Sequence, residues 1–354
     1  MIAHNKPCID SKEIQAMARV LKSGWIAEGR EVEGFEGEVC RYLGFQGGHG
    51  VAVSNGVSAL YLVLLALGVS ERDEVILPSY VGSSLLNAVF LAKAKPVLVD
   101  VDPVTFNISL EETKKKIGRR TKAVIVSHTF GVPADIEKFV QLGVPVIEDC
   151  ALAIGATFKG RKVGTFGQIA IFSFAATKML TTGYGGMAFS RNKKLVDWVR
   201  DYREYDCRRT YKPRFNFQLS DFQAAMGRVQ LKKLSGFLQR RKSIARKYYK
   251  ILPPDSVWPP RNLEGKQPNF FRFLVRTKQT AKFKQFLAKR GVGTIVPMQT
   301  YELLHRYLGQ SPRGFPISEE VAKTTLSLPV YPALNDSETR QIRSALVDWS
   351  KEGL

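Results

Sequence analysis

Five short segments carry residues that could do chemistry. In Ala170-Ile-Phe-Ser173-Phe174-Ala-Ala-Thr-Lys178 an apolar run ends in a hydroxyl, and a lysine follows five residues later. A lysine behind a buried strand loses solvation, so its pKa falls and it can act as a nucleophile and form a Schiff base. The commoner fate of a lone lysine is to snorkel to the surface. In Val146-Ile147-Glu148-Asp149-Cys150-Ala151 a carboxylate ends another apolar run, where α/β folds place their ligands. Asp149 could hold a cationic ring nitrogen there, or Glu148 or Asp149 could merely cap the next helix. Ser54-Asn55-Gly56-Val57-Ser58-Ala59 reads as a strand-to-helix turn. Free N–H groups at a helix start bind phosphate, although most such turns are only capped turns. Thr181-Thr182-Gly183-Tyr184-Gly185-Gly186-Met187 allows positive φ and close backbone approach, or is a tight surface turn. Arg214-Phe215-Asn216-Phe217-Gln218-Leu219-Ser220-Asp221 leads into a long helix and, alone, reads as no more than that lead-in.

The elements that must position these residues alternate in type. Ser11 to Ser23 has apolar Ile14, Met17, Ala18 and Leu21 at helical spacing, with Asp10 or Ser11 as N-cap and Gly24 as stop. Short apolar runs at Val51–Ser54, Glu74–Leu77, Lys95–Asp100, Ala123–Val126 and Pro145–Glu148 alternate with helical stretches at Ser58–Leu67 and Ser84–Ala92. Continuous apolar runs separated by helices mark buried parallel strands, so the class is α/β with a mainly parallel sheet. A long basic helical pattern covers Ala224 to Ile251, and Pro253, Pro254, Pro259 and Pro260 stop it. A strand-like stretch from Phe270 to Val275, a basic helix around Lys282–Arg290 and a terminal helix from Asp336 follow. The expected division is a large domain over residues 1–235 and a small one over 236–354.

The 354 residues carry 53 Lys+Arg against 32 Asp+Glu, a formal charge of +21. Much of the excess sits on the long helix, at Lys232, Lys233, Arg240, Arg241, Lys242, Arg246, Lys247 and Lys250, and reads first as a solvated face. Such charge would also steer anionic substrates toward a site. No nucleic-acid motif accompanies it, so nucleic acid is not expected as a partner. Four scattered cysteines match neither a zinc pattern nor a disulfide framework, so no metal is expected. Neither a signal peptide nor a membrane-length apolar stretch is visible, and a cytoplasmic protein is expected.

Taken in order, NGVSAL, EVILPSY, KPVLVDVD, VIEDC, FSFAATK, TTGYGGM and RFNFQLSDFQAA resemble the sugar aminotransferases of the DegT/StrS type. SGW near the start, and GVGT and LSLPVYP near the end, extend the resemblance over nearly the whole chain. It implies the type I, aspartate-aminotransferase-like fold of enzymes that use pyridoxal 5'-phosphate (PLP), with a smaller C-terminal α+β domain. Lys178 is implied to carry the cofactor and to move the proton. Asp149 is implied to pair with the protonated pyridine nitrogen. Val57, Ser58 and Ser173 are implied to hold the phosphate, and Asn216 to reach it from the neighbouring subunit of a homodimer. The implied reaction moves an amino group from an amino acid, glutamate by resemblance, to a keto group of a nucleotide-linked sugar. In that family such products enter polysaccharide, glycan or antibiotic synthesis.

The sequence departs from the family pattern at four places. Gly82 stands where a ring usually stacks on the cofactor, and Tyr80, two residues earlier, could compensate. Leu152 replaces a hydrogen-bonding residue three positions after Asp149. Tyr184 replaces the usual glutamate, and Gly293-Thr294-Ile-Val-Pro-Met298 replaces a histidine-containing segment. These departures motivate an alternative, a PLP-binding member with altered or lost catalysis and a regulatory role. Lys178 argues against it, because a protein without catalysis has no need of a nucleophile.

Overall fold

A computed structural model of the chain describes residues 1–45 and 49–351. Its central sheet is built from β1 Gly50–Val53, β2 Glu74–Pro78, β3 Lys95–Val99, β4 Thr121–Ser127 and β5 Val146–Asp149. A short ribbon, β6 Thr157–Phe158 and β7 Arg161–Lys162, precedes the last two sheet strands, β8 Ile169–Ser173 and β9 Gly186–Phe189. The seven strands lie in the order β1-β9-β8-β5-β4-β2-β3. From β8 to β3 every neighbouring pair is parallel, while β9 runs antiparallel to both β1 and β8. The sheet is therefore mainly parallel, as the apolar runs predict. The β9 strand is a finding, since Gly186 and Met187 read from the sequence only as part of a glycine turn.

Apolar cores cover both faces of this sheet. Helix α1, Ser11–Ser23, is capped by Asp10 and Glu13 in a reciprocal capping box and closed by Gly24 at φ 75°. Helices α2, Arg30–Leu43, and α1 both pack on the long helix Asp221–Tyr249. Helices α3, Gly56–Ala66, and α4, Ser84–Leu91, pack against each other.

Three basic residues of the long helix are paired. Lys233 bonds Asp10 at 2.8 Å and the buried Glu13 at 2.6 Å, and Arg228 bonds Glu31 and Glu38, each at 2.7 Å. Arg240 meets Asp336 at 3.0 Å. The helix is a clamp on α1 and α2 as much as a solvated face.

The C-terminal part holds a second sheet, ordered β10-β12-β13, of β10 Val257–Trp258, β12 Phe273–Arg276 and β13 Thr325–Leu328. Between them in sequence, β11 Lys266–Gln267 pairs with β6. Helices Thr280–Lys289 and Asp336–Lys351 share a separate core with Tyr248, Phe273 and Leu326. We propose a division between two parts at residue 235, inside the long helix; residues 352–354 of the second part lie outside the described residues.

Candidate active site

The C-terminal ends of β5 and β8 open on one cavity of about 460 Å³. Asp149, Ser173, Lys178 and the start of α3 all line it. This is where parallel strands deliver their ends and where α/β folds bind ligands.

The start of α3 is an anion seat. Asn55 caps the helix, its Oδ1 accepting the Ser58 N–H at 2.9 Å. Among the described residues the N–H groups of Gly56 and Val57 have no partner, and the helix dipole adds positive potential there. Ser173 stands beside them: a Cβ on Gly56 would lie 3.0 Å from the Ser173 Cβ. Gly186 is pressed on the same turn, and any Cβ there would overlap the Asn55 carbonyl. Gly186 is thus required by the close approach of β9 to the turn, while a Cβ on Gly185 would overlap the Thr182 hydroxyl.

Asp149 is 7% exposed at the end of β5. Its Oδ2 accepts from the Ser127 hydroxyl at 2.9 Å, and its Oδ1 from the Ala151 N–H at 3.0 Å. Two donors fix the carboxylate and leave lone pairs for a ligand. Among the described residues the Lys178 amine has no hydrogen-bond partner; its Nζ lies 5.9 Å from the centre of the Phe271 ring. Burial pulls the pKa of this amine below the usual lysine value, Asp149 opposes that shift, and Arg272 adds to it.

Glu148, one residue from Asp149, faces the other way and is fully buried. It accepts the N–H groups of Gly164, Phe166 and Gly167, each at 2.7 Å, and lies 3.0 Å from His128 Nε2. Burial pushes its carboxyl up, but His128 and the Gly167 and Gly164 amides more than offset this and hold it below the usual range. Cys150 lies close by, within 4.8 Å of the His128 and Glu148 ligand atoms. His128 Nδ1 accepts the Ala134 N–H at 3.0 Å, so both ring nitrogens are engaged and the group is a polar clasp within the fold.

The other expected residues fall differently. Val57 lines the cavity, but Ser58 does not: its N–H is used by Asn55 and its hydroxyl lies 3.2 Å from the Ser54 hydroxyl. Tyr80 also leaves the site. It is 1% exposed in the core, edge-on to Phe106 and Phe130, because burying a large ring outweighs leaving it at a cavity wall. Val81 and Gly82 line the cavity in its place, so no ring stands at that wall. Leu152 and the 73% exposed Tyr184 also line it. Asn216 is exposed and absent from the lining of its own chain's cavity. Two residues escaped the sequence reading. Ser127 orients Asp149, and its only signal is a hydroxyl ending a neighbouring apolar strand. Arg272 acts on Lys178, and its signal is a charge inside the apolar run Phe270-Phe271-Arg272-Phe273-Leu274.

The cavity therefore offers an amine whose pKa burial lowers, a fixed carboxylate and an anion seat on separate walls. That set fits a small molecule with a carbonyl, a basic ring nitrogen and a phosphate. No helix among the described residues is long and apolar enough to cross a membrane.

The comparisons with known proteins agree with this chemistry. The chain is 34% identical, over 95% of its length and 94% of the relative's, to dTDP-3-amino-3,6-dideoxy-alpha-D-galactopyranose transaminase of Aneurinibacillus thermoaerophilus. It is 30% identical, over 97% and 95%, to dTDP-4-dehydro-2,3,6-trideoxy-D-glucose 4-aminotransferase of Saccharopolyspora spinosa. The solved structure of the aminotransferase TlmJ from Streptoalloteichus hindustanus superposes with a TM-score of 0.89 at 33% identity, covering 99% of this chain and 100% of that one. The sequence pattern of one family matches residues 7–347, and the chain belongs to it: the DegT/DnrJ/EryC1/StrS aminotransferase family.

Proposed function

We propose that this chain binds PLP in the cavity at the ends of β5 and β8 and moves an amino group from glutamate to a keto group of a nucleotide-linked sugar. The observation that carries the reading is the convergence of Lys178, Asp149, Ser173 and the free Gly56 and Val57 amides on one cavity. Relatives whose names specify dTDP-sugars support the acceptor class. The +21 charge suits anionic acceptors, which it would steer toward the protein.

The phosphate would lie on the α3 amides and Ser173, and the ring nitrogen would face Asp149. Bound there, the cofactor supplies an electron sink that makes the donor's α-proton acidic. Lys178, with its amine held below the ordinary lysine pKa, would take that proton at Nζ and return it two atoms away, across the donor's nitrogen. Asp149, held by Ser127 and Ala151, keeps its charge aimed at the ring nitrogen. Gly82 and Leu152 withhold a stacking ring and one hydrogen bond, and a lost neutral bond costs only about 0.5–1.5 kcal/mol.

The direct test is a single turnover without acceptor. PLP-loaded protein mixed with glutamate should release one equivalent of 2-oxoglutarate per site and lose its visible absorption band. A protein that keeps the band and forms no keto acid does not use glutamate.

A homodimer completes the reading, with Asn216 of one protomer reaching the phosphate in its partner. The exposure of Asn216 and its absence from its own cavity leave it free for that role. Lys178→Ala and Asn216→Ala chains, each inactive as a pure dimer, should regain part of the activity when mixed. The hybrid has one intact site. Proven subunit exchange without recovery counts against a shared site. The cytoplasm is the compartment that supplies both substrates, and products of this class feed polysaccharide synthesis.

A further inference from the structure

Behind Lys178 lie two arginines with no acid paired to them among the described residues, Arg241 buried and Arg272 half-buried. Arg241, on the long helix, is 3% exposed. Its Nη1 donates to the carbonyls of Phe270, Phe271 and Val330 at 3.1, 3.2 and 3.0 Å, and its Nε has no partner. Arg272 lies 3.4 Å from His4 Nε2 and 5.4 Å from the ring centres of Phe130 and Phe271; its buried Nε is also without a partner. Among the described residues neither makes an ion pair. His4 supplies no negative charge: burial, then Arg272 and Arg241, push its pKa down to about 3. Burial pulls Arg241 to about 9 and Arg272 to about 10, so both stay charged at neutral pH.

A buried cation without a counter-charge is costly, and charges kept in such places are normally paired or bind a ligand. Arg241 is partly accounted for by its three carbonyls. Arg272 is not. It opens on a cleft of about 130 Å³ lined also by His4, Asn5, Thr177 and Arg241. At about 30 Å³ per water, that holds roughly four waters. A carboxylate with a few carbons fits such a space, and a nucleoside diphosphate does not. The cleft adjoins the active site. Lys178 Nζ and the Arg272 guanidinium lie by the same Phe271 ring, at 5.9 and 5.4 Å from its centre, and Asn5 and Arg241 line both this cleft and a narrow crevice that Lys178 also borders.

We propose that Arg272, backed by Arg241, is the subsite that binds a carboxylate of the amino-acid donor and aims its amino carbon at Lys178. The inference rests on the donor reading above and adds the residue that selects for an acidic donor. A planar guanidinium takes a carboxylate through two parallel hydrogen bonds, which a lysine cannot copy.

Glutarate, a dicarboxylate without an amino group, tests this with no turnover. Calorimetry on the PLP-loaded protein should show glutarate binding, weakened at least about tenfold in Arg272→Met, while dTDP binds both proteins equally. Arg272→Lys should fall between, about threefold weaker than wild type, and serves alone if Arg272→Met does not fold. In steady state the KM for glutamate should rise more than kcat falls. Glutarate that fails to bind the wild type, or binds Arg272→Met equally well, overturns the inference. A loss of dTDP affinity in place of glutarate affinity also overturns it and gives the arginines to the acceptor. The two readings separate cleanly. Unchanged glutarate binding beside normal release of 2-oxoglutarate sinks only the carboxylate subsite, and Arg272-dependent binding beside no release sinks only the proposed function.

Discussion

Lys178→Ala is expected to end turnover while the fold and the cavity persist. Among the described residues the Lys178 side chain makes no hydrogen bond and no ion pair, and its Nζ lies 5.9 Å from the centre of the Phe271 ring. Truncating it leaves no buried partner unsatisfied, so the melting temperature should hold. PLP should still bind through the α3 amides, Ser173 and Asp149, but without a covalent link, and should wash out on dialysis faster than from wild type. The donor half-reaction should fall by about 10²–10⁴-fold from the lost proton transfer alone. Borohydride reduction of the wild type and peptide mapping should place the pyridoxyl group on Lys178; labelling of another lysine refutes the assignment. The lowered pKa adds a pH signature. Lys178 must be neutral to accept a proton, so the wild-type half-reaction should rise with pH and level off below the ordinary lysine pKa.

Asp149→Asn keeps the size of the side chain and removes its charge. A nearby carboxylate raises the pKa of a ring nitrogen by favouring its charged form. Losing about two units of that shift costs about 2.7 kcal/mol, so the donor half-reaction should slow at least about 100-fold. Cofactor should remain bound, because Lys178 and the phosphate contacts are untouched. Glu148→Gln is the contrast. Each Glu148 oxygen accepts from two donors, and an amide offers only one acceptor atom. Two of those donors would face an NH₂ group, at a cost of about 3 kcal/mol in stability. The expected result is a lower melting temperature with a near-normal half-reaction at low temperature. If Glu148→Gln stops the half-reaction and Asp149→Asn is nearly silent, the two carboxylates have been given each other's roles.

The sequence by itself determined the order and class of the elements. Apolar runs such as Val146–Ile147 and Ala170–Phe172 are buried on both faces, and the signals that end them are local, so the strand ends bearing Asp149 and Ser173 are legible without a structure. The capping box at Asp10 and Glu13 and the Asn55-Gly56 turn are local in the same way. Only the tertiary structure decided what meets across long separations. It set β9 between β1 and β8 and pressed Gly186 on Asn55. It turned Tyr80 into the core and Ser58 toward Ser54, and it brought Ser127 to Asp149. It also spent Lys233 and Arg228 on acids of α1 and α2 and gathered Arg241 and Arg272 behind Lys178. Periodicity states which face of an element is apolar, and says nothing about which distant side chain fills the space opposite. That choice belongs to the packing of the whole chain, where buried volume must be filled and each buried charge must find a partner.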